Sequence, residues 1–148
     1  MKNIISEIEL KYKPAKNKQD RIKIWDSQSA YNAFLSTWAM DTLELNEEFK
    51  VLLLNRANEV LGIHTVSKGG LSGTVVDLKL MFAVILKSAA SCVILAHNHP
   101  SGNLKPSEAD KKLNRKISKV AEYLDINIWD NLIIAKDNYF SYIDDLPF

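Results

Sequence analysis

The chain has 148 residues, 47% of them hydrophobic and 25% charged, with a formal net charge of +1. That length and composition exclude a disordered chain and suffice for one hydrophobic core, and the near-zero charge gives no global pull toward nucleic acid or a membrane. Its single cysteine, Cys92, excludes an internal disulfide and any multi-thiolate zinc site.

One domain over 1–148 is expected, with 1–24 as an extended N-terminal arm. The opening "MKNIISEIELKYK" breaks its apolar run with Glu7 and Glu9, so it reads as neither a secretory signal nor a membrane span. A cytoplasmic enzyme or binding module is the starting expectation. "KYKPAKNKQDR" (11–21) is polar and basic and reads as a loop. After Asp26 and Ser27, both good N-cap residues, Tyr31, Phe34, Leu35 and Trp38 recur at helical spacing. "EEFKVLLLN" (47–55) and "NEVLGIHTV" (58–66) are β-rich runs joined by turn-prone residues, which predicts a hairpin. "KGGLSGT" (68–74) reads as a glycine-rich turn. A helix is predicted within 76–90, with Asp77 as its cap and Leu78, Met81, Phe82 and Ile85 as its apolar face. "SCVILA" (91–96) reads as a strand covered on both faces. A third helix from Ser107 to about Leu124 buries Leu113, Ile117, Val120, Ala121 and Leu124, and 126–135 and 139–143 supply two more strands. The predicted order is β, α, β, β, α, β, α, β, β: an α/β protein with a mixed β-sheet flanked by helices.

The stretch "ILAHNHPSGNLKPSEAD" carries the chemistry. Side chains two apart in an extended chain share a face, so His97 and His99 point the same way if the strand continues past Ala96. Pro100 resists helix formation and holds the segment open. The spacing alone also suits two solvated or core-satisfied loop histidines; the aspartate decides between them. Ser107 and Asp110 stand in the pattern of a capping box, and capping is one reading of Asp110. Yet Asp110 lies three residues before Leu113 and seven before Ile117, so its carboxylate leans toward the apolar stripe. A carboxylate there is costly unless it meets a cation or a metal. Two histidines and an aspartate suit Zn²⁺ and leave a fourth position for water, the mark of a catalytic rather than a structural ion. Ser107 is then a candidate oxyanion donor. The base should be a carboxylate from another element, Glu47 or Glu48; adjacent strand residues face opposite ways, so only one can serve.

The segment "HNHPSGNLKPSEAD" has the form H-x-H-P-x6-S-x-x-D and resembles the JAB/MPN (JAMM) metalloprotease superfamily. With "GGLSGTVVD", "CVILAHNHPSGNLKPSEAD" and "FSYID", the wording is similar to the RadC-like branch, whose members are often labelled DNA repair proteins; the likeness runs from about Glu47 to Asp144. The resemblance implies a three-layer, cytidine-deaminase-like arrangement. It also implies a zinc site of His97, His99 and Asp110 with Ser107 near the metal's water, and it selects Glu47 over Glu48 because Glu47 precedes the "F-x-V-L-x-L-N" strand by two positions. It further implies hydrolysis of peptide or isopeptide bonds in a protein or peptide substrate. Longer members carry an N-terminal helix-hairpin-helix region, for which this chain is expected to have no room. Where relatives often read D-H before the "I-I" strand, this chain has Asp130 and Asn131.

Two zinc or nuclease readings fail on spacing. The histidines and asparagine of an HNH nuclease are scattered through a ββα unit rather than contiguous, and a zinc deaminase needs H-x-E and P-C-x-x-C. The rival reading is a non-enzymatic DNA repair or recombination module that binds nucleic acid through Lys111, Lys112, Arg115, Lys116 and Lys119, with Lys11, Lys13, Lys16, Lys18, Arg21 and Lys23. Such stripes are usually solvated faces. His64 reads as a strand histidine, Trp25, Trp38 and Trp129 as core or interface anchors, Cys92 as a small hydrophobe, and Asn98 and Ser101 as loop-shaping residues, with freedom at Gly102. Gly69, Gly70 and Gly73 lack a P-loop Lys-Ser/Thr and read as a turn beside the site. An unpaired edge strand could support a homodimer.

Overall fold

The computed structural model describes residues 4–9, 17–69 and 75–146. Two runs, Glu48–Leu54 (β1) and Cys92–Asn98 (β3), are buried at every position and pair antiparallel at the centre of a five-stranded sheet. β1 turns through Asn55–Glu59 into Val60–Lys68 (β2), its antiparallel partner and one sheet edge. Asn58 takes φ +61° in that turn, and the Asn55 carboxamide oxygen accepts from the N–H groups of Ala57 and Glu59, a use of asparagine that needs no glycine. Asn127–Ile134 (β4) lies parallel to β3, and Tyr139–Ser141 (β5) closes the far edge antiparallel to β4, giving the order β2-β1-β3-β4-β5.

Alternation along the strands sends side chains to two cores. On one face Leu52, Leu54, Ile94, Ala96, Leu132 and Ile134 pack against Tyr31 and Phe34 of Ser27–Thr37 (α1) and against Trp38 beyond it. On the other face Val51, Leu53, Val93 and Leu95 meet Met81, Phe82 and Ile85 of Leu78–Ser88 (α2) and Ile117 and Ala121 of Glu108–Tyr123 (α3). The result is three layers, helix, mixed sheet and helix pair: the mixed sheet with flanking helices expected from the element order, in the layering the family resemblance implied. Asp26, Asp77 and Ser107 cap the three helices, each accepting from the backbone N–H three residues on.

Several expectations are corrected. No strand precedes α1 among the described residues. Residues 4–9 carry no regular structure, with Ile4, Ile5 and Ile8 more than nine-tenths exposed, and Lys18–Asp20 forms a single 3-10 turn. Ahead of α1 the described residues add only a single antiparallel bridge to the sheet, Lys23 with Glu59. The run 139–143 is strand only to Ser141; its hydroxyl then caps a one-turn helix, Tyr142–Asp145 (α4), by accepting from Asp144 N–H at 3.1 Å. Trp25 is 69% exposed with the Lys23 ammonium 4.5 Å above its ring, so it is no core anchor, whereas Trp38 is buried. Leu124 is 40% exposed because the buried stripe of α3 ends at Ala121 and Leu124 is already its C-cap. Gly70 and Gly73, like Lys11, Lys13 and Lys16, lie outside the described residues.

Candidate metal centre

The register of β1 against β3 assembles the first part of the site. Phe49 pairs with His97 across the two strands, so the residues two steps on, Glu47 and His99, come to the same end and the same face. β3 does continue past Ala96, as the shared-face argument requires, and ends at Asn98. The next four residues form a tight turn, closed by Gly102 N–H donating to His99 C=O at 2.9 Å. Pro100 supplies the fixed φ at its second position and Gly102 takes φ +79° at its fourth. The turn brings Asn103 C=O to within 2.6 Å of His99 Nδ1.

Helix α3 brings the second part. Ser107 Oγ accepts from Asp110 N–H at 3.0 Å, and Ser107 N–H donates to Asp110 Oδ2 at 2.8 Å. Both readings of Asp110 hold together, for the carboxylate that completes this capping box also faces the histidines. Its Oδ1 lies 3.3 Å from His97 Nε2 and its Oδ2 3.3 Å from His99 Nε2. Glu47 Oε1 stands farther off, 4.0 Å from each Nε2. One ligand atom from each of Glu47, His97, His99 and Asp110 lies within 4.8 Å of the others. They open onto a cavity of ≈ 770 Å³ that Ser107, Phe49, Val76 and Leu113 also line, and no Lys or Arg lines it among the described residues.

The electrostatics fit a cation. His97 Nε2 and His99 Nε2 face each other at 3.0 Å, a contact that two lone pairs tolerate only with a proton or metal ion between or beside them. His99 Nδ1–H donates to Asn103 C=O, leaving the Nε2 lone pair free to ligate. Hydrogen bonding to Asp110 raises the His99 pKa above its ordinary value; burial opposes this, and the Asn103 carbonyl and the nearby charges of Asp110 and Glu47 add to it. Burial alone would raise the Asp110 pKa, but hydrogen bonds from His97 and His99, the His97 charge and the Ser107 N–H together hold it well below the carboxylate range. Two imidazoles and a carboxylate form a donor set that can hold a divalent metal ion.

A model of the RadC-like JAB domain matches residues 24–146. The chain belongs to the RadC-like JAB domain family. Among its relatives, a UPF0758 protein of Flavobacterium johnsoniae is 42% identical over 127 residues, covering 86% of this chain and 56% of that protein. A UPF0758 protein of Porphyromonas gingivalis is 38% identical over 133 residues, covering 89% of this chain and 57% of the relative. One from Clostridioides difficile is 35% identical over 97% of this chain and 60% of its own length. The RadC-like domain thus spans a little over half the length of the curated relatives it matches.

Within this RadC-like domain, the residues singled out from sequence divide cleanly. Glu47, His97, His99 and Asp110 converge, and Ser107 lines the same cavity. Glu48 does not: it points to the opposite face, buried against Lys50 and Lys68 at 3.5 Å each. Cys92 is buried and its thiol is pushed up to about 11 by that burial, which leaves it inert. His64 sits on β2 opposite Val51, outside the cluster. On α3, Lys112, Arg115, Lys116 and Lys119 are exposed and do not line the cavity. No helix among the described residues is long and apolar enough to cross a membrane. Sequence reasoning missed Phe49, whose ring stacks on His97, although its position two after Glu47 was signal enough. It also missed Tyr142, whose hydroxyl is buried without a partner among the described residues; burial raises its pKa, and the Asp110 charge adds to that shift.

Proposed function

We propose that this chain is a zinc-dependent hydrolase of the JAMM type that cleaves peptide or isopeptide bonds, with His97, His99 and Asp110 as the metal ligands and Glu47 as the proton carrier. The carrying observation is the difference in reach: Asp110 stands at 3.3 Å from both imidazole nitrogens, whereas Glu47 stands at 4.0 Å from both. A carboxylate at the outer distance suits proton transfer to and from a group seated in the cluster rather than ligation. Bound there, Zn²⁺ supplies a Lewis acid for the substrate carbonyl and makes water nucleophilic near neutral pH.

The chain's own residues account for the rest. Glu47 Oε1 takes the proton of the attacking water and returns it to the leaving nitrogen. Ser107 Oγ already accepts from Asp110 N–H, so its own O–H is turned free to donate to the developing oxyanion. Phe49, Val76 and Leu113 give the cavity apolar walls, which suit the uncharged flanks of an amide substrate. The test is a pair of variants. Glu47→Gln should keep zinc and lose turnover on zinc-loaded protein assayed with a quenched-fluorescence peptide library and isopeptide-linked dipeptides. Asp110→Ala should lose the zinc itself. Equal turnover in Glu47→Gln and the parent would refute the reading.

A further inference from the structure

Glu47 makes no side-chain hydrogen bond among the described residues; the imidazoles at 4.0 Å are its nearest recorded partners. Its backbone therefore sets the direction in which the side chain leaves β1 and how far the carboxylate reaches, and that backbone is held from the other side of the sheet. Asn98, between the two histidines in sequence, faces the opposite way from both and is fully buried. Its Oδ1 accepts from Glu48 N–H at 2.7 Å. Its Nδ2 donates to Leu43 C=O at 2.7 Å and to Asn46 C=O at 3.0 Å. One side chain thus grips the peptide groups immediately before and after Glu47. A second tie, Gly69 N–H to Glu47 C=O at 2.7 Å, fixes the same residue to the end of β2.

We propose that Asn98 is the positioning residue that sets Glu47 against the metal ligands, so that the short run His97-Asn98-His99 presents two ligands on one face and the clamp for the proton carrier on the other. This rests on Glu47 having the role given above. The chemistry demands an asparagine: two carbonyls need donors and one N–H needs an acceptor, all within reach of a short side chain. Aspartate offers acceptors only, and leucine, of similar volume, offers neither. The ligands themselves do not depend on this clamp, because β3 packing and the Asn103 carbonyl orient the imidazoles and the α3 cap orients Asp110. Geometry of the base and geometry of the ligands are then separable by mutation.

The experiment uses the full chain carrying Asn98→Asp, which keeps an acceptor for Glu48 N–H but turns an oxygen toward both carbonyls. Asn98→Ser, too short to span all three groups, is the milder variant should the first not fold. Zinc titration and a crystal structure are the readouts. Zinc affinity should stay within about threefold of the parent, while Glu47 Oε1 moves away from the imidazoles by ~1 Å or more, a displacement large enough to matter to proton transfer. Glu47 unmoved at its parent position would overturn the proposal. So would a loss of zinc affinity as large as that of Asp110→Ala, since Asn98 would then be supporting the ligands. A parent protein that binds no zinc would instead refute the hydrolase reading, and the movement of Glu47 could still be read from the structures.

Discussion

Phe49 and His97 face each other across β1 and β3 with ring centroids 5.9 Å apart and planes 3° from parallel. The two histidines are held by different means. His99 is fixed by a hydrogen bond from Nδ1 to Asn103 C=O, whereas His97 Nδ1 is buried with no acceptor among the described residues. The stacked Phe49 ring does for His97 what the carbonyl does for His99: it fixes the plane in which Nε2 points toward Asp110 and His99.

Phe49→Leu should therefore uncouple orientation from packing. Leucine refills much of the apolar volume, so the stability loss is expected to be about 1–2 kcal/mol. Zinc affinity should fall about tenfold, the low end of the cost of removing a group that orients a ligand. Competition with a chromophoric chelator measures it, and unchanged affinity in a folded variant would mean that His97 needs no such support.

Ser107 has two tasks that one substitution separates. Ser107→Ala removes the N-cap acceptor of α3, at a cost of about 1 kcal/mol, or about 2–4 °C in melting temperature for a protein of this size. If its hydroxyl also steadies the oxyanion, kcat should fall about 10²–10³-fold with zinc still bound, and Ser107→Thr should recover both properties. A lowered melting temperature with unaltered turnover would leave Ser107 as a cap alone.

The pH dependence follows from the shifts at His99 and Asp110. The His99 pKa is raised above 6.5, chiefly by its hydrogen bond to Asp110, so the folded protein binds that proton more tightly than the unfolded chain does. In the metal-free protein this contributes stability fully present below pH 6.5 and lost as pH rises through the raised value. The Asp110 pKa is lowered from 3.8, so its contribution is present above pH 3.8 and lost as pH falls through the folded value. Metal binding runs the other way at His99, because a protonated ring cannot ligate. Apparent zinc affinity should fall by about tenfold per pH unit as pH drops through a midpoint above 6.5. Isothermal titration across pH checks this, and affinity that is flat down to the ordinary histidine value would contradict it.

The site was more legible in the sequence than the periphery was. Alternation along an extended chain placed His97 and His99 together, and the spacing of Asp110 within α3 aimed it inward, because both depend only on local geometry. Glu47 against Glu48 was undecidable from alternation alone. The family resemblance chose Glu47, and the structure shows Glu48 paired with lysines on the other face. The same Ser-x-x-Asp pattern that marked the start of α3 stands at Ser141–Asp144, where it ends β5 and begins α4; the aromatic run around it read as strand. Asn98 read as a loop-shaping residue because its three partners lie about 50 positions earlier in the chain, in a segment no short-range pattern connects to it. The expected first strand shrinks to the single bridge of Lys23 with Glu59, because how far a run pairs is decided by tertiary contact, not by the run itself.

Metal content, measured on the purified protein after exposure to equimolar zinc and dialysis, reports most directly on whether these side chains clasp an ion. One zinc per chain is expected in the parent, one in Glu47→Gln, and none in the His97→Ala/Asp110→Ala double variant. A parent that retains no zinc, or a folded double variant that retains as much as the parent, would contradict the assignment.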